Sequence, residues 1–286
     1  MTTQEVLTWE ERWSRPAALC AFLAAAMILA QVVLVQSAIE DRPGIEALPD
    51  FYLSVEDNST PFLASGIAQG LGGLALMGVF LYLFRTTMHR GSPMPQWFIY
   101  IVVIGPLLYA LAAVTGILDQ IDKADQFTSQ EVIRGDRGDD VATDIRNEVD
   151  GLTIAFSYAG TIATAFLFVM LPLRARRAGL LSPFMGILGV ICGALLVLPL
   201  LPPIIQVFWL VALGAIFLGL WPGGRGPAWE SGVAEPWPSA AERRGLVAPK
   251  DEPGESLLDP SEPGDADAPP PEEPVRQSSR KRKRRR

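Results

Sequence analysis

The chain has 286 residues and a net charge of −7; 49% of it is hydrophobic and 19% charged, against the ~25% charge of an ordinary soluble domain. Two cysteines and one histidine exclude a disulfide framework, a Cys/His zinc cluster and bis-histidine haem ligation. The uncharged residues come in long runs, the mark of a polytopic membrane protein.

Met1 to Arg15 is polar and carries Trp9 and Trp13, four apart on one helical face and suited to the lipid headgroup layer. Thr8 and Glu11 have the spacing of a capping box, which predicts a short helix starting near Trp9. The first span is predicted over 16–39. Its apolar run exceeds the ~7–15 residues of a signal-peptide core, so it is read as an uncleaved anchor. Glu40 to Pro61 reads as a polar loop with prolines at 43, 49 and 61, from which Phe51, Tyr52 and Leu53 could dip back to the interface. Asn58-Ser59-Thr60 matches a glycosylation sequon, a tripeptide that arises often by chance.

Two more spans follow over 62–84 and 97–118, joined by the short basic link RTTMHRGSPMPQ. Residues 119–151 form the longest outer loop. Within it Arg134 to Asp139 carries two glycines and predicts a turn. Asp139 or Asp140 can cap a helix in which Val141, Ile145, Val149 and Leu152 recur at helical spacing. That helix is predicted to run on into the fourth span, 152–173.

Leu180 to Trp221 contains no charged residue. It is about twice the ~20 residues that cross a bilayer, and Leu201, Pro202 and Pro203 break it in the middle. A hairpin of two spans, 184–201 and 203–221, is the simplest solution. From Pro222 onward Pro, Gly, Glu, Asp and Ser dominate. A chain of that composition buries too little to offset its ordering entropy, so the cytoplasmic tail 222–286 is predicted to be largely disordered, above all over 245–286. Trp229 and Trp237 are expected to lie against the membrane surface.

With six spans, Arg12, Arg15, Arg85, Arg90, Arg174, Arg176, Arg177 and the basic C-terminus all fall on one side. The positive-inside rule then places both ends in the cytoplasm. Five or seven spans would scatter these arginines. The predicted fold is an all-α, polytopic membrane helix bundle of six transmembrane helices, multi-pass in the cell (plasma) membrane.

Small residues mark the expected helix contacts: Gly66, Gly70 and Gly73 in the second span, Gly186, Gly189 and Gly193 in the fifth, Ala212, Ala215 and Gly219 in the sixth, with Ser157, Gly160, Thr161 and Thr164 in the fourth. The cluster Gly70-Leu71-Gly72-Gly73 lies inside a span and is read as packing, not as a phosphate cradle. Gln31, Gln69, Tyr109, Thr115 and Gln206 are polar and uncharged within spans. An amide in hydrocarbon needs a partner, so these should face the bundle, for interhelical bonding or for a solute. No Asp, Glu, Lys or Arg lies deep in any span, which argues against ion-coupled transport and proton pumping.

Outside the spans, Asp140, Asp144 and Glu148 stand at i, i+4 and i+8, a column of like charge. A solvated face explains it; a divalent cation shared with Asp119, Asp122 and Asp125 is the sharper alternative, though calcium wants ~6–8 oxygens. The terminal cluster Arg280, Lys281, Arg282, Lys283, Arg284, Arg285 and Arg286 is a basic patch. Anionic lipid headgroups are its expected partner ahead of nucleic acid, because a tethered tail meets the inner leaflet first. No Walker loop, G-x-S-x-G elbow, H-E-x-x-H or nucleophile–base pair is present, so no catalytic residue and no cofactor is expected.

The last third, RRAGLLSPFMGILGVICG, then Pro199, Pro202 and Pro203, then FWLVALGAIFLGLWPGG and AWESGVAEPWPS, resembles a family of uncharacterised actinobacterial integral membrane proteins carrying a domain of unknown function; the second span, ending LYLFRTT, is also similar. The resemblance implies a six-helix fold and no activity. The functional expectation is a non-enzymatic scaffold or partner-binding module with an unknown protein partner. The alternative is a carrier or channel for a small neutral or lipid-like solute, built on Gln31, Gln69 and Gln206.

Overall fold

The computed structural model describes residues 2–39, 48–91, 94–130, 136–148, 151–198, 203–222 and 224–237, and every regular element among them is a helix. In chain order these are α1 (Thr3–Ile39), α2 (Leu48–Asp57), α3 (Ser59–His89), α4 (Phe98–Thr128), α5 (Asp136–Asn147), α6 (Gly151–Arg177), α7 (Pro183–Val197), α8 (Ile204–Leu218) and α9 (Pro227–Ser231). Four of them, α1, α3, α4 and α6, are long and apolar enough to cross a membrane. α7 and α8 are equally apolar but have 15 residues each, ~22 Å of helix at 1.5 Å per residue.

Several predicted boundaries move. α1 starts at Thr3, not near Trp9. The capping box that starts it is Thr2 and Glu5: the Thr2 N–H donates to Glu5 Oε2 at 2.7 Å, and the Glu5 N–H donates to Thr2 Oγ1 at 3.3 Å. The helix then runs unbroken through Pro16. The stretch 48–57, read as loop on account of its prolines, is helical: Pro49 sits in the first turn, where its missing N–H costs nothing. α4 continues ten residues past the predicted 118. The predicted turn over Arg134 to Asp139 is helical from Asp136, and α5 does not run on into the fourth span. It ends at Asn147, Glu148 is not helical, and α6 starts afresh at Gly151. Two of the apolar residues that suggested continuity have another use, since Ile145 and Val141 pack with Tyr52, Val55 and Phe127 of α2 and α4.

The membrane-length helices and the short pair form a closed ring: α1 on α3, α3 on α4, α4 on α6, α6 on α7, α7 on α8, and α8 back on α1, with α3 and α6 also meeting across it. Two predicted glycine stripes are its seams. Gly66, Gly70 and Gly73 face α4; a Cβ on Gly66 would overlap the Ile117 side chain, and one on Gly73 would stand 3.1 Å from Ala110. Gly186, Gly189 and Gly193 face α6, where a Cβ on Gly189 would stand 2.5 Å from Pro172. Of the sixth-span stripe, Ala212 is buried at 1% exposure. α8 meets α1 through Gly214, set against Phe22, whereas Ala215 is only half-buried and Gly219 lies beyond the helix. At φ 74° Gly219 closes α8, a left-handed position that suits glycine.

The two ends of the ring differ. At one, Ala38, Phe62, Ile117 and Phe127 form a small core with α2 and α5. Asn58 belongs to it, its amide donating to the carbonyls of Ala38 and Ser54, which ties up the sequon's acceptor nitrogen. The other end is closed by α9. Trp229 is buried there rather than spread on a membrane surface, and its indole N–H donates to the Leu180 carbonyl at 2.9 Å. Residues 238–286, including the predicted disordered stretch and the basic cluster, lie outside the described residues.

Candidate functional site: an uncharged cavity inside the helix ring

The ring does not fill its centre. In the half nearer α2 and α5 it encloses a cavity of about 290 Å³. α7 ends at Val197 and α8 begins at Ile204, and Leu195, Leu196 and Pro203 at those ends line the space. Its floor is dry. Phe168 lines the cavity and packs edge-on against Phe80 at 5.0 Å and against Trp209 at 5.3 Å. Trp209 is held in turn by its N–H, which donates to the Met185 carbonyl at 3.0 Å. Below them Leu83, Leu167 and Leu171 are fully buried.

Four of the five polar residues singled out within the spans reach this one space. Gln31 of α1, Gln69 of α3, Tyr109 of α4 and Gln206 of α8 all line it. The first three form a relay: Gln31 Nε2 donates to Gln69 Oε1 at 3.3 Å, and Gln69 Nε2 donates to the Tyr109 hydroxyl at 3.1 Å. Gln206 Nε2 donates to the Cys192 carbonyl at 3.2 Å. Thr115 is the exception, for its hydroxyl donates back to the Leu111 carbonyl of its own helix.

Thr164 of α6 completes the set. The sequence placed it among packing residues, and nothing in its spacing sets it apart. It lines the cavity at 1% exposure, and its hydroxyl has no hydrogen-bond partner among the described residues. A buried threonine in a helix normally donates to a carbonyl one turn back. Here that bond is not made, so a buried polar group is left with unmet capacity. Each amide gives one N–H as above, so Gln31 Oε1 and Gln206 Oε1 are left as acceptors, and the second N–H of each amide and the Tyr109 and Thr164 hydroxyls as donors. Among the described residues no Asp, Glu, Lys or Arg lines the space.

The acidic column ends where α5 does, the Glu148 N–H donating to the Asp144 carbonyl at 3.1 Å. Asp140 and Asp144 are exposed on α5, and Glu148, past its end, accepts from Gln126 Nε2 at 3.4 Å. Asp119 pairs with Lys123 at 3.0 Å. Among the described residues no three His, Cys, Asp or Glu side chains are placed to share a metal ion. The basic cluster 280–286 lies outside the described residues.

At the α9 end a buried ion pair that no motif or spacing foretells joins Glu10 of α1 and Arg90 at the end of α3. Arg90 had served only as a charge outside the spans, Glu10 had not been singled out, and 80 residues separate them. Arg90 also donates to the carbonyls of Thr86 and Ala228 and lies over the Trp229 ring at 5.4 Å. Every donor of that guanidinium group therefore serves the architecture.

No family model, curated protein or solved structure matches the chain. The resemblance to the actinobacterial family gains no support from these comparisons.

Proposed function

We propose that the protein is a non-enzymatic carrier of the plasma membrane that binds a small uncharged, hydrogen-bonding solute in the cavity of its helix ring. One observation carries the reading: five polar side chains from five helices converge on one uncharged space, and Thr164 arrives there unpartnered. A scaffold needs no such convergence, since one amide pair ties two helices together. The volume sits at the lower limit of the ~300–1,000 Å³ of small-molecule sites. Free acceptors and free hydroxyl donors in the same wall favour a ligand that offers both.

The membrane placement is part of the proposal. α1, α3, α4, α6 and the α7–α8 hairpin supply six spans, with both chain ends cytoplasmic. In support, the ring gathers Arg85, Arg90, Arg176 and Arg177 towards the α9 end, and Asp119, Asp140 and Asp144 towards the α2–α5 end.

The test uses proteoliposomes of the full chain loaded against radiolabelled glycerol, urea and monoolein. Uptake above protein-free liposomes is expected for at least one of them. Gln69→Leu should lower it by about fivefold, the worth of one net hydrogen bond of ~1 kcal/mol. If none of the three enters above background, the carrier reading is lost and the scaffold expectation takes its place.

A further inference from the structure

A second cavity, of about 550 Å³, opens at the α9 end between the last turn of α6 and the first turn of α7. Its walls are Leu173, Arg176, Arg177, Pro183, Pro236 and Trp237. Arg176, half-buried, and Arg177, exposed, both line it, and neither has a carboxylate or hydrogen-bond partner among the described residues. Glu235, two residues from Trp237, is exposed and pairs with neither. The Trp237 indole N–H is likewise a buried donor without an acceptor. Among the described residues this cavity is lined by two arginines and no acceptor side chain, while the Trp237 indole nitrogen sits beside Gly226.

The arrangement is built. The stem of Arg176 lies in the space above Gly186, where a Cβ would come within 2.9 Å of its Cδ and 3.0 Å of its Cβ. Glycine at 186 therefore seats Arg176 as well as joining α7 to α6. The chain from α9 is held beside it, the Glu235 N–H donating to the Ala178 carbonyl at 3.3 Å. Pro183 follows the cap Ser182 at the start of α7, so the positive end of a 15-residue helix dipole faces the same cavity. Leu173 and Pro183 supply an apolar side next to the cationic one.

We infer that this cavity binds the phosphate group of an anionic phospholipid of the inner leaflet, the arginine pair gripping the phosphate and the apolar side receiving the start of the acyl chains. Arginine is suited to this because its planar fork meets phosphate oxygens two at a time. The level is right for a headgroup, since Leu173 and Arg174 are where the apolar stretch of α6 gives way to charge. A lipid rather than a free anion is favoured by Leu173, which a soluble phosphate would leave unused. This site is separate from the solute cavity and does not depend on what fills it.

The test is a native mass-spectrometry titration of the full-length protein in detergent with phosphatidylglycerol and phosphatidylcholine. Arg280 to Arg286 are each changed to Gln throughout, so that the tail does not compete. Phosphatidylglycerol is expected to bind in preference to phosphatidylcholine, and Arg176→Gln with Arg177→Gln should weaken it about thirtyfold. Arg12→Gln with Arg15→Gln removes the same charge from the same end outside the cavity and should change binding less than about threefold. Arg176→Lys with Arg177→Lys keeps the charge and the fold but loses the fork, and should bind with intermediate affinity. Equal loss in the two Gln pairs would mean diffuse attraction and overturn the proposal. So would equal binding of the two lipids, or displacement of phosphatidylglycerol by millimolar inorganic phosphate.

Discussion

Glu10 and Arg90 show what one residue can hold in this fold. Both are buried, at 4% and 6% exposure, and the guanidinium fork spans both carboxylate oxygens. A buried pair contributes little net stability compared with apolar residues of the same shape, but removing one partner strands a charge. Glu10→Gln is therefore expected to cost ~3–5 kcal/mol, read as a fall in the thermal unfolding midpoint of the detergent-solubilised protein. Glu10→Leu with Arg90→Met should recover part of that loss and not all of it, because the Ala228 carbonyl and the Trp229 ring still lose their cation. His89, next in the chain, sets a pH dependence. Its ring meets Trp9 edge-on at 5.1 Å and its Nδ1 is buried without a partner. Burial first, then Arg90, Arg85 and the N-terminal amine, lower its pKa below the ordinary imidazole value. The fold thus prefers neutral His89, and as pH falls the unfolded chain takes the proton first. The stability it contributes is complete above the ordinary imidazole range and declines as pH drops below it. Unfolding midpoints measured from about pH 8 to about pH 5 should fall more steeply for the native chain than for His89→Phe.

Between elements, backbone approach decides the packing. Gly160 of α6 rests on the backbone of α4; a Cβ there would stand 2.7 Å from the Leu108 carbonyl carbon. Backbone cannot rotate away as a side chain can, so Gly160→Val should cost at least the ~1–3 kcal/mol of an overpacked core. Gly116 of α4 has nothing within 4 Å of a would-be Cβ. Gly116→Ala should then be neutral or stabilising by up to ~1 kcal/mol, the helix preference of alanine. The same unfolding assay reads both, and equal effects would mean that the α4–α6 seam is not set by Gly160. These seams explain what could be read from the chain. The stripes 66/70/73 and 186/189/193 were legible because i+3 and i+4 spacing fixes a helix face whatever the neighbour. The partner of each stripe was not legible, nor was the second face of α3, where Gly72 and Gly78 admit Met27 and Cys20 of α1. The amides Gln31, Gln69 and Gln206 could be picked out one at a time because polar groups are rare in apolar runs. Their meeting at one cavity depends on the rotation of each helix about its own axis, which a single sequence does not constrain. Thr164 looked like every other small residue in its span, and only its missing bond distinguishes it.

At the scale of the molecule, the open matter is what the α7–α8 hairpin does in the bilayer. Its helices reach ~22 Å, short of a ~30 Å hydrocarbon core. A hairpin that crosses and one that enters and turns back both leave Arg177 and Trp221 on the same side. The distribution of arginines therefore fits either, and the even number of crossings survives in both. The solute cavity distinguishes them, because Pro203 at the hairpin's far end lines it beside Gln31 and Gln69. If the hairpin crosses and the cavity opens outward, a cysteine at 203 is reachable from outside the cell. In a chain with Cys20→Ala and Cys192→Ala, Pro203→Cys and Asp122→Cys are expected to react with a small membrane-impermeant methanethiosulfonate applied to intact cells, and Arg176→Cys to stay unreacted until the cells are opened. Reaction at 122 without reaction at 203 would leave a four-span bundle with a re-entrant hairpin and a cavity closed from outside. Reaction at 176 in intact cells would reverse the orientation and with it the leaflet assigned to the arginine pair.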